Sequence, residues 1–302
     1  MIKVIYKSKN SNNVDLIPEI KKGCWVNVVN PDESELRKVC SMLNLDNSIV
    51  KDAMDPYEVP RVEVEEGKTY IFTKYPYETT TSTLLIVIEN EHVLLFSKEE
   101  FPALQKFLEN KIDFCTTQKT KLVIQIFMEI NHSFQKRMYD INKSIYQLAA
   151  KIEKIQNSDI IKFVGYERNL NDYLSALLPI KSTLEMLLSG KYMSLYEEDE
   201  DLFEDLSIST TQLIETSRSY LKNIVNIREA YSTILSNNLN KIMKILTSLT
   251  VILTIPTIIS SFYGMNIPLP FQNNPTAFGV LAIITTGICI SLFYFFAKKD
   301  LF

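Results

Sequence analysis

The chain has 302 residues, with 32 basic and 36 acidic side chains and a formal net charge of -4. That length allows one large or two modest domains, and the charge balance argues against a nucleic-acid partner, which calls for a basic surface. A mean hydropathy near zero conceals a sharp partition: no Asp, Glu, Lys, Arg or His occurs from Ile245 to Ala297, while residues 1–244 hold nearly all the charge and read as a soluble domain.

The opening MIKVIYKSKN has no apolar core of the kind a cleaved signal peptide carries. IKVIY (2–6) and CWVNVV (24–29) are strand-like. DESELRKVCSML (32–43) has helical apolar spacing, with Asp32 or Ser34 available as its cap. RVEVEEGKTYIFTKY (61–75) alternates, turns at Glu66-Gly67 and alternates again, which predicts a β-hairpin. TLLIVIENEHVLLFSK (83–98) repeats the plan with a turn at Glu89-Asn90. Residues 1–115 therefore read as an α/β domain around a mostly hairpin-connected sheet. Cys24, Cys40, Cys115 and Cys289 are scattered singly, and His92 and His132 stand alone. This spacing predicts packed, reduced thiols rather than a zinc site or a disulfide framework.

From Thr116 the texture becomes helical. Residues 118–156 and 159–189 read as two long helices, the second interrupted at Pro179, followed by the polar connection SGKYMSLYEEDED (189–201). A third helical pattern starts near Leu202 and meets no Gly or Pro before Pro256. Continued to Phe262 it would be roughly 60 residues and ~90 Å long, a stalk leading into a membrane. Residues 116–244 form this long-helix region. Residues 245–302 form a membrane domain, with spans at about 245–262 and 277–297 joined by a loop at 263–276. Lys241 and Lys244 precede the first span, and Lys298 and Lys299 follow the second. The positive-inside rule puts both flanks, and both termini, in the cytoplasm.

Within the first span one seam is not aliphatic. Asn240, Met243, Thr247, Thr250, Thr254, Thr257 and Ser261 follow one another at alternating steps of three and four, and the seam extends back through Ser236, Thr233 and Glu229. It fits a helix–helix contact made with small polar residues. It also fits a water-filled pore lined by the same stripe from several copies, the reading favoured here, which requires a homo-oligomer. Pro256 removes one helix hydrogen bond, and the carbonyl it frees, at Ile252, is expected to be met by a Thr hydroxyl or by pore water.

The span ends at Tyr263-Gly264-Met265-Asn266. With this YGMN at the outer end of the first of two C-terminal spans, and with NKIMKILT upstream, the chain resembles the CorA family of divalent-cation transporters, chiefly magnesium channels. The likeness covers the whole architecture: an acidic-rich cytoplasmic α/β domain, long stalk helices and two C-terminal transmembrane helices. It implies a homopentamer in the plasma membrane, in contact with lipid, with five first-span helices around a pore. It also implies passive, potential-driven Mg²⁺ influx that stops when cytosolic Mg²⁺ occupies sites between cytoplasmic domains, with Co²⁺ or Ni²⁺ as secondary substrates. Two departures stand out. The outer loop IPLPFQNNPT has no acidic residue, and the basic tail AKKDLF is short.

The residues suit this chemistry. Mg²⁺ dehydrates reluctantly, so neutral oxygens that hydrogen-bond its water shell serve better than carboxylates. Gly264, Met265 and Asn266 are the candidate selectivity filter, with the Asn266 amide as the oxygen ring, Gly264 giving a tight exit from the helix, and Tyr263 and the prolines bracing the loop. Gly and Asn are also ordinary helix C-cap residues. By the resemblance, Met243 and Leu246 form an apolar constriction that gates by dewetting, Asn240 forms a polar ring, and Glu229 an acidic ring below it. The run EEDEDLFED (197–205) suits a helix start. Alignment with the family places Asp205 at a sensor position, with Glu78 as its partner acid on a neighbouring subunit. No phosphate loop, nucleophile–base arrangement or cofactor box occurs, so neither an enzyme nor an organic cofactor is expected. The competing readings are a zinc transporter of the ZntB-like branch and a membrane-anchored coiled-coil or sensor protein that transports nothing.

Overall fold

The structure is a computed structural model that describes residues 1–9, 11, 13–152, 155–270 and 274–299. It divides into two compact units, Met1–Asn226 and Ile227–Phe302.

The first unit is built on a seven-stranded sheet in the order β2-β1-β3-β7-β6-β5-β4. The strands are β1 (Ile2–Tyr6), β2 (Asp15–Leu16), β3 (Trp25–Val29), β4 (Arg61–Glu65), β5 (Lys68–Tyr77), β6 (Thr80–Ile88) and β7 (Val93–Ser97). Four strands, β4 to β7, form an antiparallel meander, and β3 joins it by parallel pairing with β7. The β4–β5 turn falls at Glu66 and Gly67, whose φ angles of 49° and 75° are those of a two-residue hairpin that follows the sheet's twist. The next two strands are longer than the runs read from the sequence, which stopped at Tyr75 and resumed at Thr83. β5 continues through Pro76, and β6 starts at Thr80, so Tyr77 pairs with Thr80 across a tight turn at Glu78 and Thr79. The φ of 48° at Glu78 is the local requirement of that turn.

Helices cover both faces of the sheet. On one face α1 (Glu33–Met42) and α2 (Asn47–Asp52) contribute Leu36, Val39, Cys40 and Val50, with Ala53 at the C-cap of α2, to a core shared with Val26, Val28, Phe72, Leu85 and Phe96. Asp32, not Ser34, caps α1: its carboxylate accepts from the Glu35 N–H at 2.7 Å while Glu35 reaches back to the Asp32 N–H at 3.2 Å. Beyond it, Trp25 lies edge-on to Phe107 of α3 (Leu104–Leu108) and to Phe114, with centroids 5.3 and 6.1 Å away. The helices α4 (Lys119–Ala149) and α5 (Asn157–Leu188) pack on β5, and α5 also on β4 and β6. α4 ends short of the expected residue 156, and residues 153–154 of that expectation lie outside the described residues. α5 continues past Pro179 without interruption. The carbonyl that Pro179 leaves without a backbone donor belongs to the exposed Ser175, where water can satisfy it.

The third long helix, α6, spans Glu197–Tyr263. It begins five residues before Leu202 because Tyr196 and Asp199 form its start. The Asp199 carboxylate accepts from the Tyr196 N–H at 3.4 Å, and Glu197, Glu198, Asp199 and Glu200 fill the first turn, where the helix dipole favours negative charge. Within the first unit α6 buries Phe203, Leu206, Thr210, Leu213, Ile214 and Ser217. The amide of Asn131 on α4 donates to the Thr210 hydroxyl at 2.9 Å, and the Ser217 hydroxyl donates to the Leu170 carbonyl of α5 at 3.1 Å. Cys24, Cys40 and Cys115 are free and buried, and burial pushes the Cys40 thiol up to about 11.

The second unit holds the rest of α6 and α7 (Ala277–Lys298). Both helices are long and apolar enough to cross a membrane.

The single Trp25 reports on the aromatic cluster. Phe107→Ala should lower unfolding stability by about 3–5 kcal/mol, read as an earlier Trp25 fluorescence transition in urea. An unshifted transition would show that the cluster is not part of the cooperative core.

Candidate ion-conduction site

The two faces of α6 in the second unit carry different residues. Ser248 is buried, and Ile252, Ile255, Pro256 and Ile259 are half-buried. Pro256 and Ile259 line a groove with Leu281, Thr285 and Cys289 of α7. On α7 the half-buried positions are Ala277, Leu281, Thr285, Cys289, Leu292 and Phe296, one face at steps of four and three. The predicted stripe lies on the other side of α6. Thr247, Thr250, Thr254, Thr257 and Ser261 are all exposed, and at 100° per residue their centre is roughly 160° from the α7-facing centre. The stripe is therefore not used for the helix contact inside this chain.

The hydroxyls of the stripe have a defined polarity. Thr250 donates to the Leu246 carbonyl at 2.8 Å, Thr254 to Thr250 at 2.7 Å and Thr257 to Leu253 at 2.9 Å. A hydroxyl has one proton and two lone pairs. With the proton given to the helix, each oxygen presents only acceptor capacity outward.

The proline-freed carbonyl is met differently from expectation. Ile252 accepts from the Cys289 thiol of α7 at 3.7 Å, not from a Thr hydroxyl. No Thr stands four residues after Ile252, because that position is Pro256 itself. Composition and spacing did not single out Cys289. The signal available was the line of small residues Ala277, Thr285 and Cys289 on one face of α7.

At the outer end of α6 the Gly264 N–H donates to the Ser260 carbonyl at 3.0 Å and the Met265 N–H to Phe262 at 3.2 Å. Gly264 does not adopt a left-handed conformation. Its use is space, since a Cβ there would lie 3.3 Å from the Ser260 carbonyl oxygen. The left-handed C-cap that Gly or Asn could have provided is thus not formed at Gly264 or Asn266. The Tyr263 hydroxyl donates to the Pro270 carbonyl at 3.4 Å, tying the loop back to the helix end. Asn274 accepts from both the N–H and the hydroxyl of Thr276 at the start of α7. Met265 and Asn266 are exposed. Residues 271–273 of the loop, and 300–302 of the short basic tail, lie outside the described residues.

Towards the other end, Asn240 and Glu229 are exposed, and Met243 and Leu246 are 64% and 62% exposed. Such large apolar side chains are left uncovered by their own chain. In the first unit Asp205 is exposed on α6 and Glu78 is exposed at the β5–β6 turn. Among the described residues no group of three or more His, Cys, Asp or Glu could hold a metal ion.

The family model described as CorA-like Mg2+ transporter protein matches residues 21–299. The chain belongs to the CorA family. It is 27% identical over 290 residues to the cobalt/magnesium transport protein CorA of Methanocaldococcus jannaschii, covering 91% of this chain and 90% of that one. The complete structure of the CorA magnesium transporter from the same organism matches with a TM-score of 0.88 at 26% identity, over 99% of this chain and 98% of that one. The ZntB cytoplasmic domain of Vibrio parahaemolyticus matches with a TM-score of 0.64 at 11% identity, over 78% and 98% of the two chains. That last likeness concerns the fold alone.

Cys289→Ala should lower stability in detergent by about 0.5–1.5 kcal/mol. In a Pro256→Ala background, where a backbone N–H returns to Ile252, the same change should cost measurably less. Equal losses in the two backgrounds, by chemical unfolding, would mean that the thiol only fills space.

Proposed function

We propose that this CorA-family protein is a homopentameric Mg²⁺ channel of the plasma membrane, passing Co²⁺ or Ni²⁺ as secondary substrates. Residues 1–115 and 116–244 are its cytoplasmic α/β and long-helix regions, and 245–302 its membrane domain, with both termini cytoplasmic. The observation that carries this reading is the exposed hydroxyl stripe of α6, turned away from α7 and leading to Gly264-Met265-Asn266. The magnesium and cobalt named for the relatives support the choice of ion.

The waters around Mg²⁺ point their hydrogens outward. A lining for the intact hydrated ion must therefore consist of acceptors. The Thr250, Thr254 and Thr257 oxygens are acceptors because their protons are already donated. The Asn266 amide oxygen, repeated around an axis, does the same at the outer mouth without the tight binding that carboxylates would add. Ser261 and Thr247 extend the path, Met243 and Leu246 close it by dewetting, and Asn240 and Glu229 form its inner polar and acidic rings. Influx is passive: a divalent ion gains roughly 4–5 kcal/mol per 100 mV on entering a negative interior. The ZntB-like zinc reading is disfavoured because no His or Cys stands on the stripe or in the filter. A plain anchor would not need a stripe of hydroxyls facing away from its helix partner.

Closure by cytosolic Mg²⁺ rests on Asp205 with Glu78 of the neighbouring copy. Carboxylates brought together across a subunit boundary repel until a divalent cation bridges them.

Asn266→Ala should reduce Mg²⁺ uptake below about a tenth of wild type while the assembly size on native gels is unchanged. Full uptake by a well-assembled variant would remove Asn266 from the filter. Asp205→Ala should shift Mg²⁺ protection of the cytoplasmic domain against proteolysis to higher concentration. An identical protection curve would return the acidic run to its helix-start role.

A further inference from the structure

The first unit contains a cleft of about 770 Å³ between the β5–β6 turn, the segment after α2 and the outer face of α5. That volume lies within the range of small-molecule sites. Its lining is unlike the acidic surface of a chain with net charge -4: Lys74, Lys162 and Arg168 face it against the single carboxylate of Asp172. Lys162 is already paired with Asp159 at 3.0 Å. Lys74 donates to the Pro56 carbonyl at 3.0 Å, and among the described residues neither Lys74 nor Arg168 forms an ion pair. Lys74 is half-buried. Burial lowers its pKa more than the nearby Asp55, Glu58 and Asp172 raise it. A half-buried cation with no carboxylate within ion-pair distance among the described residues favours an incoming anion.

The rest of the wall adds aromatic and hydroxyl character. Tyr57 and Tyr166 line the cleft, as do Thr79, Thr80 and Thr81. Tyr57 is highly exposed, so its ring is available to a ligand. Asn169 fixes the wall. With its amide turned to satisfy both neighbours, it donates to the Thr79 carbonyl at 2.8 Å and to Gly165 at 3.1 Å, joining the turn to α5. Cations that can grip phosphate stand beside rings that can stack on a base. We propose that this cleft binds a nucleoside polyphosphate, with Lys74 and Arg168 on the phosphates and Tyr57 or Tyr166 against the base. Thr79 follows Glu78 in the same turn, so the ligand would sit beside one half of the proposed Mg²⁺ sensor. That consequence, unlike the binding itself, rests on the channel reading.

The test is calorimetric titration of the full-length protein in detergent and metal-free buffer with ATP, adenosine and inorganic triphosphate. ATP should bind saturably with a Kd below about 1 mM, and each of the other two at least about tenfold more weakly. Arg168→Glu, at an exposed position, should weaken ATP by at least about tenfold, and Lys74→Met should do the same. Absence of saturable ATP binding, or an unchanged affinity in Arg168→Glu, would overturn the proposal. Equal affinity for triphosphate and ATP would overturn the nucleoside assignment. None of these readouts requires transport, so they fail or succeed independently of the channel reading.

Discussion

Hydrocarbon offers no hydrogen-bond partners, so a helix that crosses it has to satisfy every polar group from within the protein or from trapped water. α6 meets that constraint differently on its two sides. Towards α7, the one backbone acceptor released by Pro256 takes the Cys289 thiol. On the far side, Thr hydroxyls bond back to carbonyls one turn earlier and leave their lone pairs unspent. The first solution holds two helices of one chain together. The second leaves acceptors that pore water, or a donor on a neighbouring helix, can meet. The channel reading rests on that asymmetry.

The same reasoning covers the outer loop. A charge at the filter would bind a divalent ion directly and slow its release, whereas neutral oxygens exchange hydrogen bonds with its water shell. The loop between the spans has no charged side chain, and it is shaped by polar contacts instead, from Tyr263 to Pro270 and from Thr276 to Asn274. Gly264 contributes room beside the Ser260 carbonyl rather than an unusual backbone angle.

Local features were the most legible. Asp32 with Glu35 three residues on is a capping box in sequence and in structure, and Glu66-Gly67 is a hairpin turn in both. The polar seam was readable because its period matches a helix, and the family was readable because YGMN sits at the end of that seam. Features set by distant parts of the chain were not legible. The parallel pairing of β3 with β7 joins residues far apart. The strand run read from the sequence stopped at Tyr75, yet β5 continues through Pro76 to Tyr77. The side of α6 that faces α7 is decided by Ser248, Ile252 and Ile259, which no polarity pattern marks. Cys289 looked like one more packed thiol until Pro256 was found to leave a carbonyl opposite it. Asp205 came from family alignment back along the helix and Glu78 from the expectation of a partner acid in the sheet domain, and the proposed pairing of the two needs a second copy of the chain.

The most direct test of the central claim is Mg²⁺ entry into liposomes holding the purified protein, followed by an internal dye, with and without an imposed inside-negative potential and with internal Mg²⁺ kept low. The account predicts saturable entry that rises with the potential. No entry through folded, oligomeric protein under either condition would contradict it.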